Sequence, residues 1–323
     1  MRRITFVEAL VEAQREEMRR DNSVFIMGED SGYSGGAFGT TVGLWAEFGA
    51  ERVRDTPISE AAIMGAAVGA AMAGMRPIVE MQYLEFLPYI DALVNLAAKI
   101  HLMSGGQVRV PIVLRGPLGA KGANGAQHTQ NFEAWFLHTP GLYVVMPSTP
   151  YDAKGLLKSA VRDDNPVVFI EEKTIYFQLG EAPEGEYTIP LGQADTKRPG
   201  KHVTVVATGI TVGRALRAAR RLAEDGIEVE VIDPRTLVPL DIEAILRSLR
   251  KTHRLVVAHQ APKTGGFGAE VAALAQELAF DQLDAPVLRV AGLDIPTPYN
   301  LDLEKKATVQ EDDIIAGVRS VLA

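Results

Sequence analysis

Asp55-Thr56-Pro57-Ile58-Ser59-Glu60 runs directly into Ala61-Ala62-Ile63-Met64-Gly65-Ala66-Ala67-Val68-Gly69-Ala70-Ala71-Met72-Ala73-Gly74, with no further charge until Arg76. A polar turn ends in one carboxylate, and the run behind it is small and apolar. Ser59 is placed to cap a helix, its hydroxyl accepting from an orphan N–H of the first turn. Glu60 then stands in that turn, where two chains or two domains could meet. The glycines and alanines let another backbone approach the helix closely. A lone acid in apolar surroundings has its carboxyl pKa raised and can share a proton. Acidic residues also favour the first turn of any helix, because of the macrodipole. The hexapeptide by itself leaves both roles open.

Working outward, strands and helices alternate. Thr5-Phe6-Val7-Glu8 is a capping box opening an amphipathic helix to about Arg20. Residues 24–28 read as a buried strand, followed by a glycine-rich loop to 36. Residues 77–81 read as a strand, and 83–103 as largely helical, with Asp91, Asn95 and Lys99 along one face. A strand at 110–115 leads into a long glycine-punctuated loop over 116–128. A loop of that length inside a compact domain is functional or disordered. A strand at 142–146, a helix capped by Thr149 with Pro150 at its first position, and a strand at 167–171 follow. Periodicity fades over about 174–201. Beyond it, strands are expected at 203–207, 228–232, 255–259 and 287–290, and helices at 212–224, 242–250, 268–278 and 312–322. Strands alternating with helices imply parallel sheets covered on both faces. The expected fold is α/β, with one domain over 1–180, a linker over 181–200 and a second domain over 201–323.

Composition narrows the function classes. The chain has 323 residues, 47% hydrophobic and 23% charged, with a net charge of −8. That balance gives no electrostatic case for nucleic acid. There is no cysteine, which removes disulfides, thiol catalysis and zinc–thiolate sites. The apolar run over 61–75 is too short and too small in side chain for a membrane span, and no signal-peptide core follows Met1. The expectation is a cytoplasmic protein, or a mature organellar one, with no membrane partner.

The common catalytic motifs are missing. No Gly-Lys-Ser or Gly-Lys-Thr occurs, and Gly265-Gly266-Phe267-Gly268-Ala269-Glu270 lacks the third glycine of a dinucleotide fingerprint. Gly32-Tyr33-Ser34-Gly35-Gly36 has the letters of a nucleophile elbow but lies inside a loop. Among the 6 histidines no paired metal spacing appears. His128 stands out, at the end of the long loop and beside Gln127, Thr129 and Gln130. A loop histidine on an α/β scaffold can meet a substrate carboxylate or carry a proton, and it can equally be solvated or cap a helix.

Taken as a set, the motifs resemble a family. Asp55 to Glu60, Glu80-Met81-Gln82-Tyr83, Met103-Ser104-Gly105-Gly106-Gln107, Ala126-Gln127-His128-Thr129-Gln130, Arg162-Asp163-Asp164-Asn165-Pro166 and Gly265 to Glu270 look like the beta subunit of the thiamine-diphosphate-dependent 2-oxo acid dehydrogenases. That subunit is half of the decarboxylating first component of complexes of the pyruvate dehydrogenase type. The resemblance implies a pyrimidine-binding domain followed by a transketolase C-terminal-like domain. It implies thiamine diphosphate between an alpha and a beta chain of an α2β2 heterotetramer. Glu60 matches the glutamate that bonds the aminopyrimidine ring and favours its imino tautomer. Ile58, Gln82 and Phe86 match positions lining that pocket. His128 matches an active-site histidine that steadies the 2-oxo acid adduct and helps acyl transfer to lipoyl. A potassium ion is implied at backbone carbonyls of Ile112, Ala160, Asp163 and Asn165.

Absences and departures matter too. The Gly-Asp-Gly that holds Mg2+ and diphosphate in thiamine enzymes is missing, the nearest string being Glu224-Asp225-Gly226. The resemblance therefore implies that the alpha subunit holds most of the Mg2+ site and that this chain alone is inactive. The further partner implied is the dihydrolipoyl acyltransferase core with its lipoyl domain. Ala126-Gln127-His128 with Ala134-Trp135-Phe136 is closer to pyruvate or acetoin members than to branched-chain ones, while Tyr83 to Tyr89 follows neither group. Pyruvate is favoured. Acetoin, branched-chain 2-oxo acids and a non-catalytic assembly subunit stand as alternatives. An NAD-dependent oxidoreductase would rest on architecture alone.

Overall fold

In the computed structural model, which describes residues 1–323, the capping box forms as its residues dictate. The Thr5 hydroxyl accepts from the Glu8 N–H at 3.2 Å, and the Glu8 carboxylate accepts from the Thr5 N–H at 2.6 Å. The chain makes two compact units, one of residues 1–118 with 135–191, the other of 119–134 with 192–323.

The first unit runs β1 (Arg2–Thr5), α1 (Phe6–Arg20), β2 (Val24–Gly28), α2 (Leu44–Phe48), β3 (Val53–Asp55), α3 (Glu60–Met72), β4 (Arg76–Glu80) and α4 (Ile100–Met103). It continues with β5 (Val113–Leu118), α5 (Glu133–Leu137, whose first two residues, Glu133 and Ala134, belong to the second unit), β6 (Tyr143–Val145), α6 (Pro150–Arg162), β7 (Val167–Glu172) and β8 (Leu179–Ala182). Its strands lie in the order β6-β7-β5-β4-β2-β3, every pair parallel. β1 pairs separately with β8, antiparallel. Helices α1 and α6 pack together, and Lys154 and Lys158, both fully buried, each place an ammonium 2.6 Å from Glu16.

Two local expectations change. Ser59 precedes α3 but its hydroxyl makes no cap bond. Its ψ is 73°, against 163° at Thr5 and 161° at Thr149, where the hydroxyl does reach the first turn. Residues 83–103 are not one helix. They break into a 310 turn at Leu87–Tyr89, a π-helical segment at Ala92–Ala97 and short α4. Pro88 sits in the opening turn, where its missing N–H costs nothing, and the break comes further on, where the Ala98 N–H reaches back five residues to the Leu93 carbonyl at 3.0 Å.

The second unit adds β9 (Asp195–Arg198), β10 (Val203–Ala207), α7 (Ile210–Glu224), β11 (Val229–Asp233), β12 (Thr236–Val238), α8 (Ile242–Thr252) and β13 (Leu255–Pro262). α9 (Phe267–Ala279), β14 (Leu288–Gly292), α10 (Leu301–Ala307) and α11 (Glu311–Ser320) complete it. Its sheet is β14-β13-β10-β11-β9, parallel except for β9, which runs antiparallel to β11. The sheet is thus mixed rather than purely parallel. The exception is a charged edge, Asp195-Thr196-Lys197-Arg198, which carries no apolar alternation to announce it. Val203, Val205, Val231, Val256, Ala215, Ile314 and Val318 fill the core beneath α7 and α11.

Candidate functional site

The carboxyl ends of β2, β3 and β4 lie side by side in the first unit, where ligands of parallel α/β sheets bind. Gly28 ends β2 because nothing larger fits: a Cβ there would stand 2.4 Å from the Glu80 carbonyl oxygen. The loop that follows is folded back by Asp55, whose carboxylate accepts the Gly32 N–H at 2.6 Å and the Tyr33 N–H at 3.4 Å. Beneath it, Arg115 is fully buried between Glu80 and Glu171, at 2.5 Å and 2.8 Å, and the Thr40 hydroxyl donates to Glu80 at 2.7 Å. The loop is therefore pinned to the sheet at both ends. No helix starts after Ser34, so the elbow reading fails there as expected.

Glu60 opens α3 and is half-buried. Beside it the Glu29 carboxyl is buried, and one of its oxygens has no hydrogen-bond partner. Burial, then the Glu60 charge, then Asp30 push its pKa up. The Thr56 hydroxyl is also buried without a partner. Ile58 stands 80% exposed, an apolar side chain with nothing over it. Gln82 and Phe86 are half-buried, and the turn Leu87–Tyr89 packs on α3. Phe86 meets Tyr83 edge-on at 5.7 Å, and Tyr83 meets Phe38 at 6.0 Å. The Lys173 ammonium lies 4.8 Å over the Tyr83 ring and pairs with Glu85, both side chains buried. Burial raises the Glu85 carboxyl against the pull of Lys173. Tyr89, buried, donates to the Leu84 carbonyl at 2.7 Å, and its phenol is held well above the usual range by burial and by the Glu85 and Glu60 charges.

The sequence reading named Ile58, Glu60, Gln82 and Phe86, and all four belong to the first unit. It missed Glu29 and the Glu85–Lys173 pair. An acid directly after a buried strand, Gly28-Glu29, was the available signal for the first; Glu85 and Lys173 are 88 residues apart and gave none. His128 belongs to the second unit, half-buried on a 310 turn, Ala126–His128. The four carbonyl positions sit where β5, α6 and β7 adjoin. The Ile112 oxygen accepts the Val167 N–H at 2.9 Å, the Ala160 oxygen the Asp163 N–H at 3.3 Å, and the Asp163 oxygen the Arg76 guanidinium at 2.8 Å. Asn165 bonds the Asp163 carboxylate through its N–H at 2.8 Å. Glu224-Asp225-Gly226 is the end of α7, and Asp225 accepts from Arg319 at 2.6 Å.

A family model of the transketolase pyrimidine-binding domain matches residues 2–178, and one of the transketolase C-terminal domain matches residues 192–314. The 2-oxoisovalerate dehydrogenase subunit beta of Bacillus subtilis (strain 168) is 47% identical over 322 residues, covering 98% of both chains. The chain belongs to the beta subunits of the thiamine-diphosphate-dependent 2-oxo acid dehydrogenases. The pyruvate dehydrogenase E1 component subunit beta of Rickettsia felis is 48% identical over 319 residues, again 98% of each chain. A split gene transketolase, solved as an inactive beta4 tetramer, shares the fold with a TM-score of 0.82 at 24% identity, over 99% of this chain and 98% of that one. No helix is long and apolar enough to cross a membrane.

Proposed function

We propose that this chain is the beta subunit of a pyruvate-decarboxylating 2-oxo acid dehydrogenase, active with an alpha subunit in an α2β2 heterotetramer and passing its acyl group to lipoyl of a dihydrolipoyl acyltransferase core. The observation that carries the reading is Glu60 at the start of α3, charge-coupled to a buried Glu29 whose carboxyl has an orphan oxygen. Burial and the neighbouring Glu60 charge both favour the protonated form of the Glu29 carboxyl. Ile58, Gln82 and Phe86 fit an aromatic heterocycle, because they offer apolar and edge-on aromatic surface beside that proton. Thiamine diphosphate, when bound, supplies the carbanion chemistry, and the protein binds, orients and tunes protonation. In this reading Glu60 would bond the aminopyrimidine ring, and His128 would meet the carboxylate end of the 2-oxo acid and move a proton during acyl transfer.

Diphosphate and Mg2+ fall to the alpha subunit in this reading, since the chain carries no Gly-Asp-Gly and groups no three His, Asp or Glu side chains that could hold a metal ion. Potassium at Ile112, Ala160, Asp163 and Asn165 is supported by the lone pair each engaged carbonyl keeps, and a rise in Tm with KCl but not NaCl is its test. Pyruvate is favoured over branched-chain acids by Ala126-Gln127-His128 and by Trp135 beyond it.

The deciding experiment is Glu60→Gln in the complex reconstituted with its alpha partner, thiamine diphosphate and Mg2+, read by reduction of an artificial electron acceptor. Turnover on pyruvate falls by about 10²- to 10⁴-fold, the range general acid–base groups contribute. An unchanged rate overturns the proton-sharing role. Comparing pyruvate, acetoin and branched-chain 2-oxo acids with the wild-type complex ranks the substrates in the same assay.

A further inference from the structure

We propose that Glu304 is a positioning residue for His128: from α10, its carboxylate fixes the glycine loop that delivers the imidazole. The inference rests on the reading of His128 as an active-site residue. Everything it uses lies in the second unit.

α10 is a short exposed helix in which Leu301, Asp302, Leu303, Lys305 and Lys306 all face solvent. Glu304, between them, is only 7% exposed. It is a charged residue turned inward on an otherwise outward helix, and both its oxygens are used. Oε1 accepts the Gly122 N–H at 2.9 Å and Oε2 accepts the Ala123 N–H at 3.0 Å. Gly122 has φ +76° and Ala123 φ +59°. In this turn two successive backbone N–H groups point to one side and meet the same carboxylate, the arrangement that makes a concavity for an anion. L side chains resist that conformation, so Ala123 marks a place where the carboxylate holds the backbone in shape.

A second tether lies beyond the histidine. The Thr297 hydroxyl donates to the Thr129 carbonyl at 3.3 Å, while the Thr129 hydroxyl closes back on the Gly125 carbonyl at 2.6 Å. The Gly119 N–H meets the Gln130 carbonyl at 2.9 Å and shuts the base of the loop. Tyr299 and Leu301 line its side at Gly125 and Gly122, where an added Cβ would find them at 3.5 Å and 3.4 Å. Asn300 starts α10 firmly, its side-chain oxygen accepting from the N–H groups of Asp302 and Leu303 at 3.0 Å and 3.1 Å. His128 is thus held between two fixed points, residues 122–123 and residue 129, and both anchors come from the segment 297–304. A carboxylate suits the first anchor because it accepts at both oxygens. A glutamine accepts at one and turns an N–H2 toward the other donor.

The test uses the assembled alpha–beta complex carrying Glu304→Gln, His128→Ala, both together, or Thr297→Val. Amide hydrogen exchange over 119–128 is read beside turnover and cofactor affinity. In E304Q that segment exchanges about ten- to a hundredfold faster, the loss expected for a hydrogen bond to a charged group. Turnover falls about tenfold or more, the sensitivity of a displaced catalytic group, and the Kd for thiamine diphosphate is unchanged. In the His128→Ala background E304Q adds no further loss, because the two act as one unit. T297V shows the same pattern more weakly and covers the case in which E304Q fails to fold. Unchanged exchange in E304Q, or a loss that simply adds to that of His128→Ala, overturns the positioning role. Wild-type turnover in His128→Ala overturns the reading of His128 itself, and is distinguishable because the exchange result does not depend on activity.

Discussion

At the scale of single residues, two buried titratable side chains of the second unit carry opposite pH signatures. His259 is fully buried with neither ring nitrogen hydrogen-bonded, and Gly266 and Gly268 press on it so closely that a Cβ would come within 2.5 Å and 2.9 Å of the ring. Burial first, then the Arg289 charge, lower its pKa from 6.5 to about 4. The unfolded chain therefore takes up the proton first. The stabilisation is present above pH 6.5 and is lost as the pH falls towards 4, an effect of about 3 kcal/mol at one pKa unit per 1.36 kcal/mol. Glu133 is the reverse. Its two oxygens are buried without partners, and burial pushes its pKa from 4.5 up to about 7. The folded state holds that proton longer than the unfolded one, so stability falls as the pH rises through this window. Glu133→Gln raises Tm at pH 8 and leaves it nearly unchanged near pH 4.5. His259→Gln flattens the acid side of the Tm profile even where it lowers its plateau. Thermal unfolding across pH for the three proteins checks both signs, and an acid limb that survives in His259→Gln removes the histidine from the account.

Among elements, α3 shows why its sequence is so rich in glycine. Ile63, Met64, Ala67, Val68 and Ala71 are buried, while Ala61, Ala62, Gly65, Ala66, Gly69 and Met72 face outward. Nothing lies within 4 Å of a Cβ added at Gly65 or Gly69. Alanine there stabilises the isolated chain by about 1 kcal/mol per site through helix propensity. If the outward face is where a partner chain approaches, the same two substitutions weaken alpha–beta assembly. Tm of the free chain and the Kd of assembly should move in opposite directions, and a gain in both denies the face that use. The helix itself was legible from the sequence, as were β10, β11, β13, α7, α8, α9 and α11, because long apolar periods fix buried elements. Ser59 as cap residue was legible and its missing bond was not, since the backbone angle at the turn decides whether the hydroxyl reaches. β1, β8, β9 and α10 escaped notice, being short and either half-exposed or charged. Of the residues proposed for function, Glu60 and His128 stood out, one on a turn of the first unit and one on a loop of the second. Glu29 carried a signal, an acid directly after a buried strand, that went unread, while Glu85, Lys173 and Glu304 were hidden, because their meaning lies in what they meet across long stretches of chain.

For the whole molecule, the proposed sharing of the cofactor site with an alpha subunit has a physical ground in what this chain exposes. The free chain leaves large apolar side chains in water within its first unit: Ile58 at 80%, Leu102 at 83% and Met103 at 71% exposure. Scattered exposed apolar residues are ordinary, but here one of them borders the site itself. A pocket whose apolar wall is open to solvent binds its ligand weakly, since little of the ligand leaves water. A ligand that binds only the assembled state stabilises only that state, by about 2.7 kcal/mol at a hundredfold excess over Kd. Thiamine diphosphate with Mg2+ should therefore raise the Tm of the alpha–beta complex clearly and leave the Tm of the isolated chain almost where it was. The isolated chain should show no turnover on any 2-oxo acid, and activity should titrate with added alpha subunit to an equimolar end point. A full cofactor-induced shift in the beta chain alone means that the site is complete within one chain, and the shared-site reading then falls together with the assignment of Mg2+ to the partner.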